Sequence, residues 1–178
     1  MTTPVISVAG WKNSGKTTLI TKIVAELRRR NVRVATIKHA HHAFEIDREG
    51  TDSFRHRDAG AFEVAIVSAR RWAIIHEIGD EGEPTLAEVL KMLSPADVVI
   101  IEGYKPAPIP KIEVRRLSAA RTEPLAETDP NVVAIAADHP CTSVRLPVFD
   151  LDDVGGIVDF VVAFCRLGKA GTSRSGGV

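Results

Sequence analysis

The sequence predicts an α/β fold: a mostly parallel sheet with helices on both faces and an added antiparallel hairpin. Three observations predict it. Apolar, strand-like segments alternate with amphipathic, helix-like ones, the pattern of parallel strands joined by crossovers. The run Gly10-Trp11-Lys12-Asn13-Ser14-Gly15-Lys16-Thr17 joins the first strand to the first helix. In Asp97-Val98-Val99-Ile100-Ile101-Glu102 four apolar residues end in a carboxylate, as suits a central strand ending at a ligand-binding sheet edge. Residues 10–17 fit G-x-x-x-x-G-K-[ST] between a strand and a helix. The expected architecture is therefore the three-layer P-loop NTPase fold.

The elements follow in order. Residues 5–9 are apolar and β-branched and read as a buried strand. Residues 17–30 place Leu19, Ile20, Ile23, Val24 and Leu27 on one helix face. Residues 32–37 read as a second strand and 39–52 as a polar loop. Thr51-Asp52-Ser53 offers the cap of a short helix running to about residue 59. Residues 62–67 and 71–76, with Ser68-Ala69-Arg70 between them, read as a hairpin extending one sheet edge. Pro84 in a first turn opens a helix over 85–93, with Leu86, Val89, Leu90 and Leu93 inward. Residues 97–101 form the central strand. Pro106, Pro108 and Pro110 stiffen the segment after it, and 111–116 alternates like an edge strand. Residues 132–137 and 147–149 are short strands. Asp152 or Asp153 caps a last helix over 154–167, with Ile157, Phe160, Val161 and Phe164 inward.

A chain of 178 residues suits one domain, expected over 1–167. The Gly/Ser-rich stretch 168–178 is expected to be a disordered tail. Lys+Arg and Asp+Glu number 23 each, which argues against a chain-wide nucleic-acid-binding surface. Cys141 and Cys165 form no CxxC pair, so buried thiols in a reducing compartment are expected. No charged-then-apolar leader precedes the first strand. No apolar run approaches the roughly 18 residues of a membrane span, and the cytoplasm is the expected location.

The loop at 10–17 carries the chemistry. Glycines let backbone approach phosphate closely, and successive N–H groups with the positive helix end hold the anion. Gly10, Lys12, Asn13, Ser14, Gly15, Lys16, Thr17 and Thr18 are the candidate phosphate-binding residues. Lys16 is expected at the β- and γ-phosphates and Thr17 on Mg²⁺. Glu102, at the strand's carboxyl end, is expected to hold Mg²⁺ or orient water; the alternative is a plain loop carboxylate. Asp97, at the far end of that strand, reads as structural.

Asp47-Arg48-Glu49-Gly50-Thr51-Asp52-Ser53 resembles a switch segment sensing γ-phosphate and metal, with Asp47 the metal-side residue. Asp52 and Ser53 serve equally well as helix caps. His39, His41 and His42 could bind Ni²⁺ or Zn²⁺, but a polar loop suits three histidines without a further soft ligand better. Asp138 closes a strand where a carboxylate can accept both N1–H and N2–H of guanine, a pairing adenine lacks. The alternative for Asp138 is a turn with His139 and Pro140.

These segments together resemble the molybdopterin-guanine dinucleotide biosynthesis protein B family (MobB). The resemblance lies in residues 8–19, Thr36-Ile37-Lys38-His39-Ala40-His41-His42, residues 47–53, Arg57-Asp58-Ala59-Gly60-Ala61 and Val99-Ile100-Ile101-Glu102-Gly103-Tyr104-Lys105. It implies a GTP-binding protein, usually dimeric, with slow GTP hydrolysis. It also implies an accessory role beside the guanylyltransferase (MobA-like) that attaches GMP to molybdopterin. Position 11, where the wider class of such proteins often has a second lysine, is Trp11 here. The segment after residue 138 carries little of the resemblance.

Two other readings compete. In a nickel metallochaperone GTPase, the histidine cluster would be the metal ligand. In a small-molecule P-loop kinase, Arg115, Arg116 and Arg121 would belong to a lid over the phosphates.

Overall fold

The computed structural model describes residues 3–40, 44–142 and 145–168. His41, His42 and most of the expected tail lie outside the described residues. In chain order the elements are β1 (Val5–Gly10), α1 (Lys16–Arg29), β2 (Val34–Lys38), α2 (Asp52–Asp58), β3 (Glu63–Val67), β4 (Trp72–His76), α3 (Leu86–Met92), β5 (Val98–Glu102), β6 (Lys111–Arg115), β7 (Val132–Ala137), β8 (Val148–Asp150) and α4 (Val154–Phe164). A 3-10 turn, Leu125–Glu127, precedes β7. The chain divides into two compact units, 1–39 with 94–178, and 40–93.

The first unit holds a six-stranded sheet in the order β2-β5-β1-β6-β7-β8, every neighbouring pair parallel. Strand residues alternate between sheet faces. Ile6, Val8, Val98, Ile100, Ile112, Val114, Ala134 and Ala136 therefore share one buried face. Helix α1 covers it with Leu19, Ile20, Ile23 and Leu27, all on the expected stripe. Helix α4 packs beside α1 through Ile157, Val158 and Val161. Each such side chain, fully buried, contributes about 1.5–3 kcal/mol of transfer free energy. On α4, Val158 is buried and Phe164 is 41% exposed, so the inward stripe sits one residue round from the expected one. Asp153 caps α4, accepting Gly156 N–H at 2.9 Å.

Strand β6 is a correction. The sequence reads as an edge strand, yet β6 lies between β1 and β7 with four of its five residues buried. Its charges are buried because each is matched. Lys111 Nζ lies 2.9 Å from Asp129 Oδ2 and donates to the carbonyls of Ala107 at 2.6 Å and Ile109 at 3.3 Å. Glu113 accepts the N–H groups of Leu125 (2.7 Å) and Ala126 (3.0 Å) and pairs with Arg115 at 2.8 Å. The prolines end before the strand begins. Asp97 is structural, as expected: its Oδ2 accepts Arg33 N–H at 2.7 Å.

The second unit contains α2, the β3–β4 pair and α3. Among the described residues, strands β3 and β4 pair antiparallel only with each other, rather than extending the main sheet. The short link between them dictates their mutual pairing but specifies no third strand. Thr51, not Asp52 or Ser53, caps α2, its Oγ1 accepting Phe54 N–H at 3.4 Å. Thr85 and Glu88 form a reciprocal capping box on α3, so Pro84 precedes the cap rather than opening the first turn.

Candidate functional site

The site forms at the carboxyl edge of the first unit's sheet. Strand β1 ends at Gly10, and the chain turns through residues 11–15 into α1. Two glycines make this turn feasible. A Cβ on Gly10 would stand 2.7 Å from both Ser14 Oγ and the Val114 carbonyl oxygen, closer than any side chain tolerates. Gly15 has φ +90°, the left-handed region, and lies immediately before α1. Asn13 also has positive φ, at 64°. Leu19 N–H closes the first helical bond onto the Gly15 carbonyl at 2.9 Å. Among the described residues no side chain caps α1, so its amino end keeps N–H groups for a ligand.

Side chains complete the loop. Lys16 Nζ donates to the Trp11 carbonyl at 2.7 Å, which folds the lysine back over the loop. Burial pushes its pKa below the ordinary value, against the pull of Glu102. Thr17 Oγ1 donates to Glu102 Oε1 at 2.8 Å. These two expected metal-side residues, 85 positions apart, are thus in direct contact. Hydroxyl and carboxylate oxygens are the hard donors Mg²⁺ prefers, so this pair fits that ion. Ser14 is 1% exposed, and its buried Oγ has no hydrogen-bond partner among the described residues. An orphaned hydroxyl inside a phosphate loop fits an anionic ligand. Lys12 contributes its carbonyl to Ala120 N–H at 3.3 Å, and its side chain is exposed. Thr18 stands exposed in the first turn of α1.

Asp138 follows β7 directly. Its Oδ1 accepts Leu117 N–H at 3.0 Å and lies 2.9 Å from His139 Nδ1. The histidine contact, the Leu117 N–H and the nearby Arg116 hold its carboxyl below the usual range. It is therefore an anion at neutral pH, as guanine recognition requires.

Asp47 belongs to the second unit. It is buried and pairs with Arg57 at 2.9 Å, while Arg57 also reaches Glu77 at 3.4 Å. Its Oδ2 has no hydrogen-bond partner among the described residues. His39 packs against Tyr104 with ring centroids 4.3 Å apart and the planes tilted by 30°. Among the described residues, no three His, Cys, Asp or Glu are grouped to hold a metal ion.

Sequence reasoning named Arg116 only as part of a kinase lid and did not place it at Gly15. The guanidinium Nη2 lies 3.3 Å from where a Gly15 Cβ would be, so it sits tightly beside the loop. Arg115, its neighbour, is instead committed to Glu113. Arg121 lies over the Trp11 ring, 5.2 Å from its centroid. Only the fold brings these residues, from far along the chain, to the loop.

A parallel sheet with a glycine-built phosphate loop, a helix-opening lysine and a threonine joined to a strand-end glutamate defines a P-loop α/β protein. A sequence model of the family "Molybdopterin guanine dinucleotide synthesis protein B" (MobB) matches residues 5–138. The chain belongs to that family. It is 37% identical over 161 residues to the molybdopterin-guanine dinucleotide biosynthesis adapter protein of Haemophilus influenzae, covering 89% of this chain and 87% of that protein. It is 36% identical over 165 residues to the adapter protein of Escherichia coli, covering 92% and 94%. A crystal structure of molybdopterin-guanine biosynthesis protein B (mobB) superposes with a TM-score of 0.71 at 28% identity, covering 91% of this chain and 99% of that one. Bacillus subtilis MobB superposes with a TM-score of 0.70 at 28% identity, covering 90% and 96%.

Among the described residues, no helix is long and apolar enough to cross a membrane.

Proposed function

We propose that this chain is a GTP- and Mg²⁺-binding adapter protein of molybdopterin-guanine dinucleotide biosynthesis, acting in the cytoplasm. One observation carries the nucleotide half of this reading. Thr17 and Glu102 touch beside a loop whose lysine folds onto its own backbone and whose buried serine hydroxyl is unpartnered. Lys16 exchanges the Trp11 carbonyl for phosphate when nucleotide binds. Thr17 and Glu102 hold Mg²⁺, which neutralises phosphate charge. Asp138 accepts the guanine N–H groups.

The adapter half rests on family membership. The partner is the pathway's MobA-like guanylyltransferase, and a molybdopterin-type ligand is the object of their joint work. Hydrolysis is slow. The protein acts as a homodimer. Val67, Trp72 and Ile74 on the β3–β4 pair are 77%, 66% and 52% exposed, an apolar surface suited to a second copy.

Equilibrium titration of Lys16→Ala with Mg·GTP tests the loop. Removing the ammonium weakens binding at least tenfold, about 1.4 kcal/mol. Unchanged affinity would remove the loop from the nucleotide site.

A further inference from the structure

Two cations gather on the tryptophan at the second position of the phosphate loop. Lys105 Nζ stands 3.9 Å from the Trp11 ring centroid, and Arg121 Cζ stands 5.2 Å from it. The indole is fixed, because its Nε1–H donates to the Glu123 carbonyl at 2.7 Å. The adjoining backbone is fixed too: Trp11 O accepts Lys16 Nζ at 2.7 Å and Lys12 O accepts Ala120 N–H at 3.3 Å. Three segments distant in sequence thus bring Lys16, Lys105 and Arg121 to one loop. Neither Lys105 nor Arg121 forms an ion pair with a described carboxylate. Burial presses the Lys105 pKa down, and the charges of Lys16 and Arg121 press it further. Gathering like charges is unfavourable, and an aromatic face offsets only part of that. A ligand with several negative charges offsets the rest.

We infer that Lys105 and Arg121, presented on Trp11, form a subsite for the terminal phosphate of a bound nucleoside triphosphate. The inference rests on the nucleotide reading above. The neighbours of Lys16 point to the terminal phosphate: its charge interacts with both Glu102 and Lys105. Lys105 follows Glu102 by three residues, and Glu102 contacts Thr17 on the metal side of the loop. Arg116 stands at Gly15, on the side where its charge reaches Asp138. Lys16 lies between. A diphosphate engages Lys16 and Arg116 and leaves Lys105 and Arg121 unmatched. A triphosphate engages all four. The subsite therefore lets the chain tell triphosphate from diphosphate, the distinction that a nucleotide-dependent adapter needs.

The test is titration of the full chain, with Mg²⁺, against GDP and a non-hydrolysable GTP analogue, and against the corresponding adenine pair so that base preference drops out. Lys105→Ala and Arg121→Ala each weaken triphosphate binding about tenfold and leave diphosphate binding within about twofold of the parent. Lys105→Arg, which keeps the charge, restores the discrimination. Equal loss for both nucleotides, or no loss for either, overturns the subsite. If Lys105→Ala does not fold, Arg121→Ala decides alone by the same criterion. A parent that binds nucleotide while the variants match it overturns only the subsite. A parent that binds neither nucleotide overturns the nucleotide reading with it.

Discussion

The Thr17 hydroxyl donates a 2.8 Å hydrogen bond to Glu102 Oε1, joining the first turn of α1 to the last residue of β5. Parallel pairing makes the contact geometrically natural. Val8 of β1 lies opposite Glu102, so the carboxylate emerges beside the loop that β1 feeds. Two oxygens of hard-donor type at this spacing are prepared for one divalent cation.

Glu102→Gln keeps the side chain's shape and removes its charge. Mg²⁺ then ceases to strengthen nucleotide binding, a loss of about tenfold at saturating metal, about 1.4 kcal/mol. Titrations with and without Mg²⁺ measure it. Full Mg²⁺ enhancement in the variant would place the metal elsewhere. Thr17→Ala combined with Glu102→Gln is expected to cost less than the sum, because both act through one site.

Gly10→Ala tests the loop's packing. The new methyl meets Ser14 Oγ and the Val114 carbonyl oxygen at 2.7 Å. A backbone carbonyl in a central strand cannot retreat cheaply, so the loss is about 1–3 kcal/mol by urea unfolding, as for other overpacked sites. Nucleotide affinity falls with it. A variant as stable as the parent would mean that the loop relaxes freely.

Asp129 balances the buried Lys111 ammonium. Burial alone would raise the Asp129 pKa, but hydrogen bonds from Lys111 and Asn131 prevail and hold it below its ordinary value of 3.8. Its folded-state pKa is depressed, so its stabilising contribution is full above pH 3.8 and is lost as pH falls through the lower folded value. Asp129→Asn leaves Lys111 charged and underpaired, costing about 3 kcal/mol at neutral pH. It also flattens the acid limb of a stability–pH profile. Lys111→Met with Asp129→Asn recovers most of the loss. A double variant as unstable as the single one would contradict this pairing.

The parts of the site legible in the sequence are those that local chemistry dictates. The phosphate loop, the α1 stripe of Leu19, Ile20, Ile23 and Leu27, and Glu102 at a strand end all follow from spacing and residue type. The central position of β6 was not legible, because Lys111 and Glu113 look solvent-facing until Asp129 and the N–H groups of Leu125 and Ala126 arrive from later in the chain. The kinase reading named Arg116 and Arg121, but their contacts with Gly15 and Trp11, and that of Lys105 with Trp11, were hidden for the same reason. Their partners are set by the β1–β6 pairing and the 116–124 segment, not by neighbours in sequence. The α4 stripe shows a smaller failure: an apolar helix offers several plausible faces, and contact with α1 selects Val158 over Phe164.

Calorimetric titration with Mg·GTP and Mg·ATP, on the parent, Asp138→Ala and Asp138→Asn, tests the central claim most directly. The asparagine variant retains an oxygen for the Leu117 N–H, so a loss there reports the carboxylate rather than the turn. The expected result is a GTP preference of about tenfold or more in the parent that disappears in both variants. An ATP preference in the parent, or a GTP preference that survives both substitutions, would contradict guanine recognition by Asp138 and reopen the kinase reading.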